Sequence, residues 1–573
     1  MMQIRNKYNL HILFAALLQF SSFTIFSQSA GEMRGSANTY TLLYGDVNHL
    51  VDRIDIQYEN TYRFLHTSVK PFLRGEVAAL VDQYGRTDTF SKTDSFDLAY
   101  LKTDNDEFFS DRKNPYYKGN LFNFFYASSP AVFYEFFTIR INPVIHTEID
   151  ASDSGSSLRF LNTRGLEIRG NIDDKVGFYL YATDNQAKFP DYVQSHIAEN
   201  NQVVPGEGVS KIFKEFGSDF SSTHGYIAFN ATKHIQMQFG QDKIFIGDGI
   251  RSMIWSDQSK DFLFLKINTQ IWRLNYQNIY AELANFDGSN IYNSLVHKKY
   301  AAMHHLSINL TKNLNIGAFE TVVFDRTDVA GNPQGFELYY LNPVIFYRAV
   351  ESGLGSSDNV VLGTNWKWNF LHHFSFYGQF VLDEFVFDEL FNGNGWWGNK
   401  YAAQAGLKYI NAFNISNLDL QFEENLARPY TYSYEDENGS SYTHYGQPLA
   451  NPLGANFNEQ IISLWYEPAP KFTIQNQLVL AKFGSDTSGS NFGGNPFLDY
   501  NTYEHAYGNE IGQGVRNKLL LNEFTVSWQF WPNVFIDGIV IYRKQRNPED
   551  GEQSETYFSI GIRMNDLLRR NYF

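Results

Sequence analysis

The segment GDGIRSMIWSD, Gly247 to Asp257, sets two glycines around Asp248 and follows them with Arg251, Trp255 and Asp257. The backbone N–H groups of such a turn can cradle a phosphate or a sugar hydroxyl. An aromatic face packs on sugar C–H groups, and carboxylates bond the hydroxyls. No strand, glycine-rich turn and helix unit surrounds the turn, so it is neither a Walker loop nor a dinucleotide fingerprint. The same residues also fit a tight turn that folds a long segment inward, with Arg251 pairing Asp248 or another interior carboxylate. Trp396 and Trp397, in FNGNGWWGNK, have the same sugar-packing character. They also fit an interfacial tryptophan girdle that needs no ligand. Tyr432 and Tyr434 stand beside the acidic run Glu435, Asp436 and Glu437. That run suits a solvated acidic loop better than a calcium site, because its spacing matches no EF-hand loop.

Enzyme chemistry finds less support. Asp383 with Glu384 and Asp388 with Glu389 are acid pairs, but glycoside hydrolysis needs two carboxyl groups facing each other across a cleft. Adjacent residues on a strand point to opposite faces. His304–His305 and His372–His373 are adjacent in the same way, and GxSxG, HExxH and CxxC are all missing. No catalytic residue, metal site or cofactor is expected.

The elements that must position these residues are strands. From about Val132 onward the dominant period is two. Phe374, Phe376, Phe380 and Leu382 share one face, with Ser375, Tyr377 and Gln379 on the other. Leu418, Leu420 and Phe422 oppose Asp419, Gln421 and Glu423. Phe524, Val526, Trp528 and Phe530 oppose Thr525, Ser527 and Gln529. Phe558, Ile560, Ile562 and Met564 oppose Ser559, Gly561 and Arg563. A soluble sandwich alternates too, but here short and long connections also take turns. Short links are expected at Asp173–Asp174, Ala231–Lys233, Thr311–Asn313, Leu371–His373, Asn411–Ser416, Glu467–Pro470 and Trp531–Asn533. Long links are expected between them, including Asp242–Asp261, Asp325–Asp358, Ala427–Asn456 and Lys544–Ser554. That rhythm belongs to an outer-membrane barrel with short periplasmic turns and longer extracellular loops. The expected fold is therefore all-β, an antiparallel outer-membrane β-barrel of about eighteen strands, from near Phe136–Ile149 to Thr556–Met564.

Composition agrees. Aromatic residues make up 17% of the 573-residue chain, which suits interfacial girdles and a lipid-facing band. A net charge of −16 disfavours nucleic acid as a partner. The absence of cysteine excludes disulfides and thiolate chemistry. Residues 1–28 read as a signal peptide: basic Arg5 and Lys7, an apolar Leu10–Phe26, then small or polar Ser27–Ala30. Residues 29–130 read as a small periplasmic or barrel-plugging segment. Short helices are expected within Thr67–Tyr84 and Asp94–Phe108, the second capped by Asp94 or Ser95. Residues 131–573 form the barrel, with its loops extracellular and both termini periplasmic.

HTSVKPFLR (His66–Arg74), GQDKIFIGDGIRSMIWSDQSKDFLFLKI (Gly240–Ile267) and LYYLNPVIFYRAVESGLGSSDNVVLGTNWKW (Leu338–Trp368) resemble motifs of the Wzi-like capsule-assembly proteins of Bacteroidetes. That group includes the gliding-motility protein RemB. The strand FYGQFVLDEF (Phe376–Phe385) is similar too, and the terminal Phe573 fits the C-terminal aromatic by which barrels are recognised for insertion. The resemblance implies an eighteen-stranded, non-enzymatic surface lectin that holds exported polysaccharide, or a role in gliding and adhesion. The bilayer and a surface polysaccharide are then the expected partners, and the oligomeric state is left open. Asp248, Arg251, Trp255, Asp257, Trp396, Trp397, Tyr432 and Tyr434 are the candidate ligand-binding residues. The rival readings are a porin-like or secretion-associated channel and an outer-membrane glycan hydrolase.

Overall fold

The computed structural model describes residues 39–43, 46–58, 65–85, 90–109, 132–134, 137–153, 155–173, 175–214, 217–285, 296–325, 335–346, 358–384, 386–435, 439–549, 551–570 and 573. The signal-peptide reading, the 130/131 boundary, Asp436 and Glu437 lie outside them.

Eighteen antiparallel strands close a barrel. In chain order they are β1 (Phe137–Ser152), β2 (Gly155–Ile172), β3 (Val176–Lys188), β4 (Gly217–Asn230), β5 (Ile235–Asp242), β6 (Phe262–Ile271), β7 (Leu274–Asn285), β8 (His297–Asn309) and β9 (Leu314–Phe324). They continue as β10 (Asn359–Phe370), β11 (Phe374–Glu384), β12 (Lys400–Tyr409), β13 (Leu418–Ala427), β14 (Phe457–Ala469), β15 (Phe472–Ser485), β16 (Val515–Trp531), β17 (Val534–Asn547) and β18 (Gly551–Met564). Each pairs with its neighbour in sequence. Closure comes from β18 on β1, with Met564 opposite Ile145 and Tyr557 opposite Ser152.

The period-two pattern has a direct physical outcome. Phe376, Phe380, Phe422, Phe524, Trp528, Phe558, Ile560 and Ile562 point outward and are exposed. Ser375, Tyr377, Gln379, Asp419, Glu423, Thr525, Ser527 and Arg563 point inward and are buried. An exposed apolar exterior around a polar interior is the reverse of a water-soluble domain, and it matches a barrel wall in lipid. Among the described residues no helix is long and apolar enough to cross a membrane.

Three connections depart from the expected alternation of short and long links. Strands β6 and β7 meet in a two-residue turn at Trp272–Arg273, a link the sequence reading did not find. The Lys544–Ser554 stretch is no long loop. Its polar residues extend the ladder, with Lys544 opposite Ser554, Arg546 opposite Glu552 and Asn547 opposite Gly551. Where both faces meet water alternation disappears although pairing continues. The β1–β2 link is short as well, although it lies at the end where the long loops cluster.

The lumen is filled from both ends. At the short-turn end sit α1 (Asp46–Gln57), α2 (Arg74–Tyr84) and α3 (Lys92–Asp104). Helix α1 was not foreseen. Helix α3 is capped by Ser91, which exchanges hydrogen bonds with Asp94 in a capping box, so Asp94 stands at the third position and not at the cap. Charged pairs hold α1 to the inner wall. Arg53 contacts Asp419 at 2.5 Å, Lys367 contacts Asp55 at 2.7 Å, and Lys408 contacts Asp52 at 2.6 Å. Burial alone would raise the Asp52 pKa, but Lys408, Lys367 and Lys70 outweigh it and hold that carboxyl well below the usual range. From the long-loop end, the 243–261 connection descends and pairs with the N-terminal segment, Ile246 opposite Val69 and Phe245 opposite Lys70.

The C-terminus also turns inward. The last strand ends at Met564, so Phe573 does not terminate it as a C-terminal insertion signal would. The following residues run along the inner wall. Asp566 bonds His146 and Tyr181, Arg569 bonds Glu207 and Asn185, and Phe573 packs on Tyr192 and His196 of α4 (Asp191–Glu199), in a long connection. The end of the chain thus lies inside the barrel toward the long loops, and not at the short-turn end.

Candidate functional site

The eight candidate residues fall into three places. The first is the inward turn. Gly247 donates its N–H to the Ser68 carbonyl at 2.7 Å. Asp248 accepts from Thr67 at 2.6 Å and lies 3.7 Å from Lys367. The Ile250 and Arg251 N–H groups donate to the two oxygens of Glu423, at 2.7 and 2.9 Å. A Cβ on Gly249 would stand 2.5 Å from a Glu423 oxygen, so only glycine lets the backbone come this close. The Arg251 guanidinium pairs with Glu459 at 2.8 Å and not with Asp248. Ser252 accepts from the Ile254 and Trp255 N–H groups, and Trp255 stacks on Phe262 with ring centres 5.0 Å apart. Trp255 is wholly buried, and its indole N–H has no partner among the described residues. Tyr432 closes the turn from above: its hydroxyl donates to the Met253 carbonyl at 2.6 Å and its ring stacks on Tyr442. The Gly247, Ile250 and Arg251 N–H groups of the turn are therefore taken by the protein's own carbonyl and carboxylate oxygens.

The second place is a lumen cavity of about 300 Å³ beside the inward C-terminal residues. Arg251 and Asp257 line it, with Tyr179, Tyr181, Trp465 and Gln477. The cations on its wall are tied down: Lys243 to the Gly206 and Asp257 carbonyls, Arg563 to Asp537 and Arg569 to Glu207.

The third place is an aromatic group at the long-loop end. Trp397 stacks on Tyr503 at 4.5 Å and 18°, meets Tyr430 edge-on at 6.1 Å and leans on Tyr500 at 5.2 Å. Trp396 adjoins it at 6.0 Å, and Tyr434 meets Tyr500 edge-on. Lys400 sits 4.0 Å from the Tyr500 ring centre. The Gly395 carbonyl and N–H groups of the 506–509 stretch lock this loop to its neighbour, with Trp397 N–H donating to Ala506 and Asn509 N–H to Gly395. Trp396, Trp397 and Tyr503 are part-exposed and Tyr507 is exposed, with its hydroxyl 3.5 Å from Glu389. Part-open aromatic faces beside amide and carboxylate groups are what a polyhydroxylated ligand packs on.

The sequence reading missed Tyr500, Tyr503 and Tyr507. They follow each other in YNTYEHAYGNE within one long connection, an aromatic run that carried the signal. It also missed a bulge. The register of β11 on β12 shifts between Leu382 and Glu384, so the adjacent Asp383 and Glu384 both reach Lys400, at 3.8 and 3.1 Å, where strict alternation would part them. His304 and His305 do separate, the first outward and the second inward against Asn365.

No family model and no curated protein matches the sequence. Solved structures do match. One is Wzi of Escherichia coli, described as an outer membrane protein involved in group 1 capsule assembly and as a carbohydrate-binding β-barrel. It is 14% identical, with 93% of this chain and all of that one covered, at a TM-score of 0.55. Pseudomonas aeruginosa OprD is 10% identical over 74% of this chain and 94% of its own, at 0.39. Acinetobacter baumannii OccAB2 is 9% identical over 74% and 97%, at 0.40. At such identities the likeness to Wzi speaks for the fold, and the two weaker likenesses carry no argument.

Proposed function

We propose that this protein is an outer-membrane barrel that holds polysaccharide at the cell surface. The loop end faces outward and helices α1 to α3 close the periplasmic end. The observation that carries the reading is the aromatic group Trp396, Trp397, Tyr503 and Tyr507, part-open at the long-loop end of a barrel whose lumen is filled. The filled lumen disfavours a porin. The carbohydrate-binding description of Wzi supports the same ligand class. The role is non-enzymatic: the acid pair Asp383–Glu384 is spent on Lys400 and the Tyr432 N–H. Capsule attachment, as in the Wzi-like group, is the leading form of the reading, with gliding or adhesion of the RemB kind as the other.

The test is the partition of surface polysaccharide between cells and medium. A strain lacking the protein, or carrying Trp397→Ala with Tyr503→Ala, should make normal amounts and shed them. Normal retention on the cells rejects capsule attachment and leaves gliding or adhesion. A stable open conductance from the purified protein in a planar bilayer rejects the closed-lumen reading in favour of a channel.

A further inference from the structure

One stretch of the barrel exterior breaks the lipid-facing pattern. Directly paired residues on neighbouring strands share a face. The outward row that crosses β6 to β10 runs Ile267, Asn278, His304, Glu320, Leu362. Three polar side chains therefore stand together on the outer wall. Glu320 lies about 15 Å above the short-turn end, taking a rise of about 3.4 Å per residue from Leu314 and a tilt of about 40°. That is close to mid-height of an apolar band about 25 Å tall. A carboxylate facing lipid at that depth is strongly unfavourable.

It does not face lipid. Glu320 is 4% exposed, His304 5% and Asn278 3%, whereas outward residues elsewhere, such as Trp528 and Ile562, are more than 40% exposed. The cover is residues 335–346, part of the β9–β10 connection, which lie on the outside of the barrel. Phe336 and Tyr340 seat on the outer wall: Phe336 edge-on to Phe324 at 5.2 Å and Tyr300 at 5.7 Å, and Tyr340 stacked on Phe324 at 4.6 Å. Below them the wall bonds the segment's backbone. Tyr280 donates to the Leu341 carbonyl at 3.1 Å, Tyr276 donates to the Pro343 carbonyl, and Glu320 accepts from the Phe346 N–H at 2.6 Å. Beneath lie Asn278 and His304, bonded to each other at 2.6 Å.

The far side of the segment is apolar. Leu338 (71% exposed), Tyr339, Leu341, Val344 (55%) and Phe346 all project away from the wall. We infer that residues 335–346 form a strap inserted into the bilayer, with this face against lipid acyl chains. Irregular backbone is tolerated at membrane depth only where its polar groups are satisfied by protein. The outward Tyr276, Tyr280 and Glu320 supply that satisfaction, which accounts for polar side chains on a wall that should carry none. The exposed apolar face is continuous with the lipid-facing band of the neighbouring strands, where Ile316 and Trp368 are exposed. A loop at this height in water would present five large apolar side chains to solvent with nothing gained. The inference does not depend on the glycan reading.

The chain has no cysteine, so a single introduced thiol is unique. Leu338→Cys and Val344→Cys, made separately, are labelled with an environment-sensitive fluorophore. Each is reconstituted in phosphatidylcholine vesicles whose acyl chains carry bromine near mid-chain. Phe376→Cys on the bare lipid-facing wall and Tyr507→Cys at the loop end are the references. Both strap labels should lose most of their fluorescence to the brominated chains, as at 376, and resist aqueous iodide. Iodide quenching with no bromolipid quenching, as at 507, overturns the strap. In a Tyr276→Phe, Tyr280→Phe background the Val344→Cys label should become accessible to iodide. If it stays protected by lipid, the wall phenols do not hold the strap, and the reason given for them falls.

Discussion

Replacing Arg251 with Met tests whether the inward turn is held by charge. The guanidinium meets Glu459 through Nε and Nη2, at 2.8 to 3.3 Å, and Glu459 has no solvent exposure. Without Arg251 the carboxylate keeps, among the described residues, the neutral amides of Asn425 and Asn451, at 3.1 and 3.0 Å. Removing one partner of a buried pair costs about 3–5 kcal/mol, because the other charge is left uncompensated. Opening of the 243–261 segment should then rise by roughly a hundredfold to several thousandfold. Hydrogen exchange reads this directly at the Ile250, Arg251 and Met253 amides, which bond Glu423, Glu423 and Gln379. The β-strand amides should keep their protection. Adding Glu459→Gln removes the stranded charge while keeping acceptors for both asparagines, so the double variant should recover most of the loss. Unchanged exchange in Arg251→Met refutes the reasoning. So does a double variant as open as the single one, because the defect would then be lost packing and not stranded charge.

Gly249→Ala should open the same turn by about 1–3 kcal/mol through the Glu423 contact, seen as faster exchange with the barrel intact. Trp397→Ala should weaken glycan binding at least about tenfold by titration calorimetry with polysaccharide fragments, while Trp255→Phe should leave affinity unchanged. His66 is pressed down to about 3, chiefly by burial and further by His305. Its unfolded form titrates near 6.5, so the released plug binds more protons than the seated one. Plug stability from this group is complete above about pH 6.5 and falls as pH drops toward 3. His66→Asn should flatten that dependence, and an unchanged exchange profile from pH 7 to 4 in the parent chain would contradict it. Arg569→Ala leaves Glu207 without its 2.7 Å partner and should free the C-terminal residues to protease without lowering barrel content by circular dichroism.

The barrel was legible because two solvents write on one strand. Where lipid lies outside and polar lumen inside, every second residue changes class, as from Phe374 to Leu382. The signal fails where the two faces meet the same medium. Arg543 to Asn547 and Gly551 to Glu555 are polar on both sides, so their ladder read as loop. The Trp272–Arg273 turn was hidden because neither residue is a turn former, and Trp272 takes a positive φ of 55° that sequence did not announce. Among the candidate residues, type was legible and address was not. Trp255, Tyr432 and Trp397 look alike in sequence. One stacks in the lumen, one closes a turn and one lies part-open at the loop end, and the difference rests on partners (Phe262, Met253 and Tyr503) that no local pattern announces.

The polar residues on the outer wall carry the same point further. Asn278, His304 and Glu320 obey the alternation and yet violate its meaning, since their face belongs to lipid. Read strand by strand they look like errors in phase. Read with Leu341, Pro343 and Phe346, the Glu320 carboxylate and the phenols of Tyr276 and Tyr280 are the acceptor and donors placed where irregular backbone has to be satisfied away from water, and Asn278 and His304 beneath them satisfy each other. The lumen repeats the arrangement: Glu423 stands ready for two N–H groups of the inward turn, as Glu320 does for one of the strap. In both places a wall carboxylate serves a connection that enters a compartment hostile to bare backbone. Glu320→Leu should therefore not behave as a harmless lipid-facing swap. It leaves the Phe346 N–H unbonded, at about 1–3 kcal/mol, and should loosen the strap, whereas Leu362→Glu on the same row would put a charge where none of the described residues receives it.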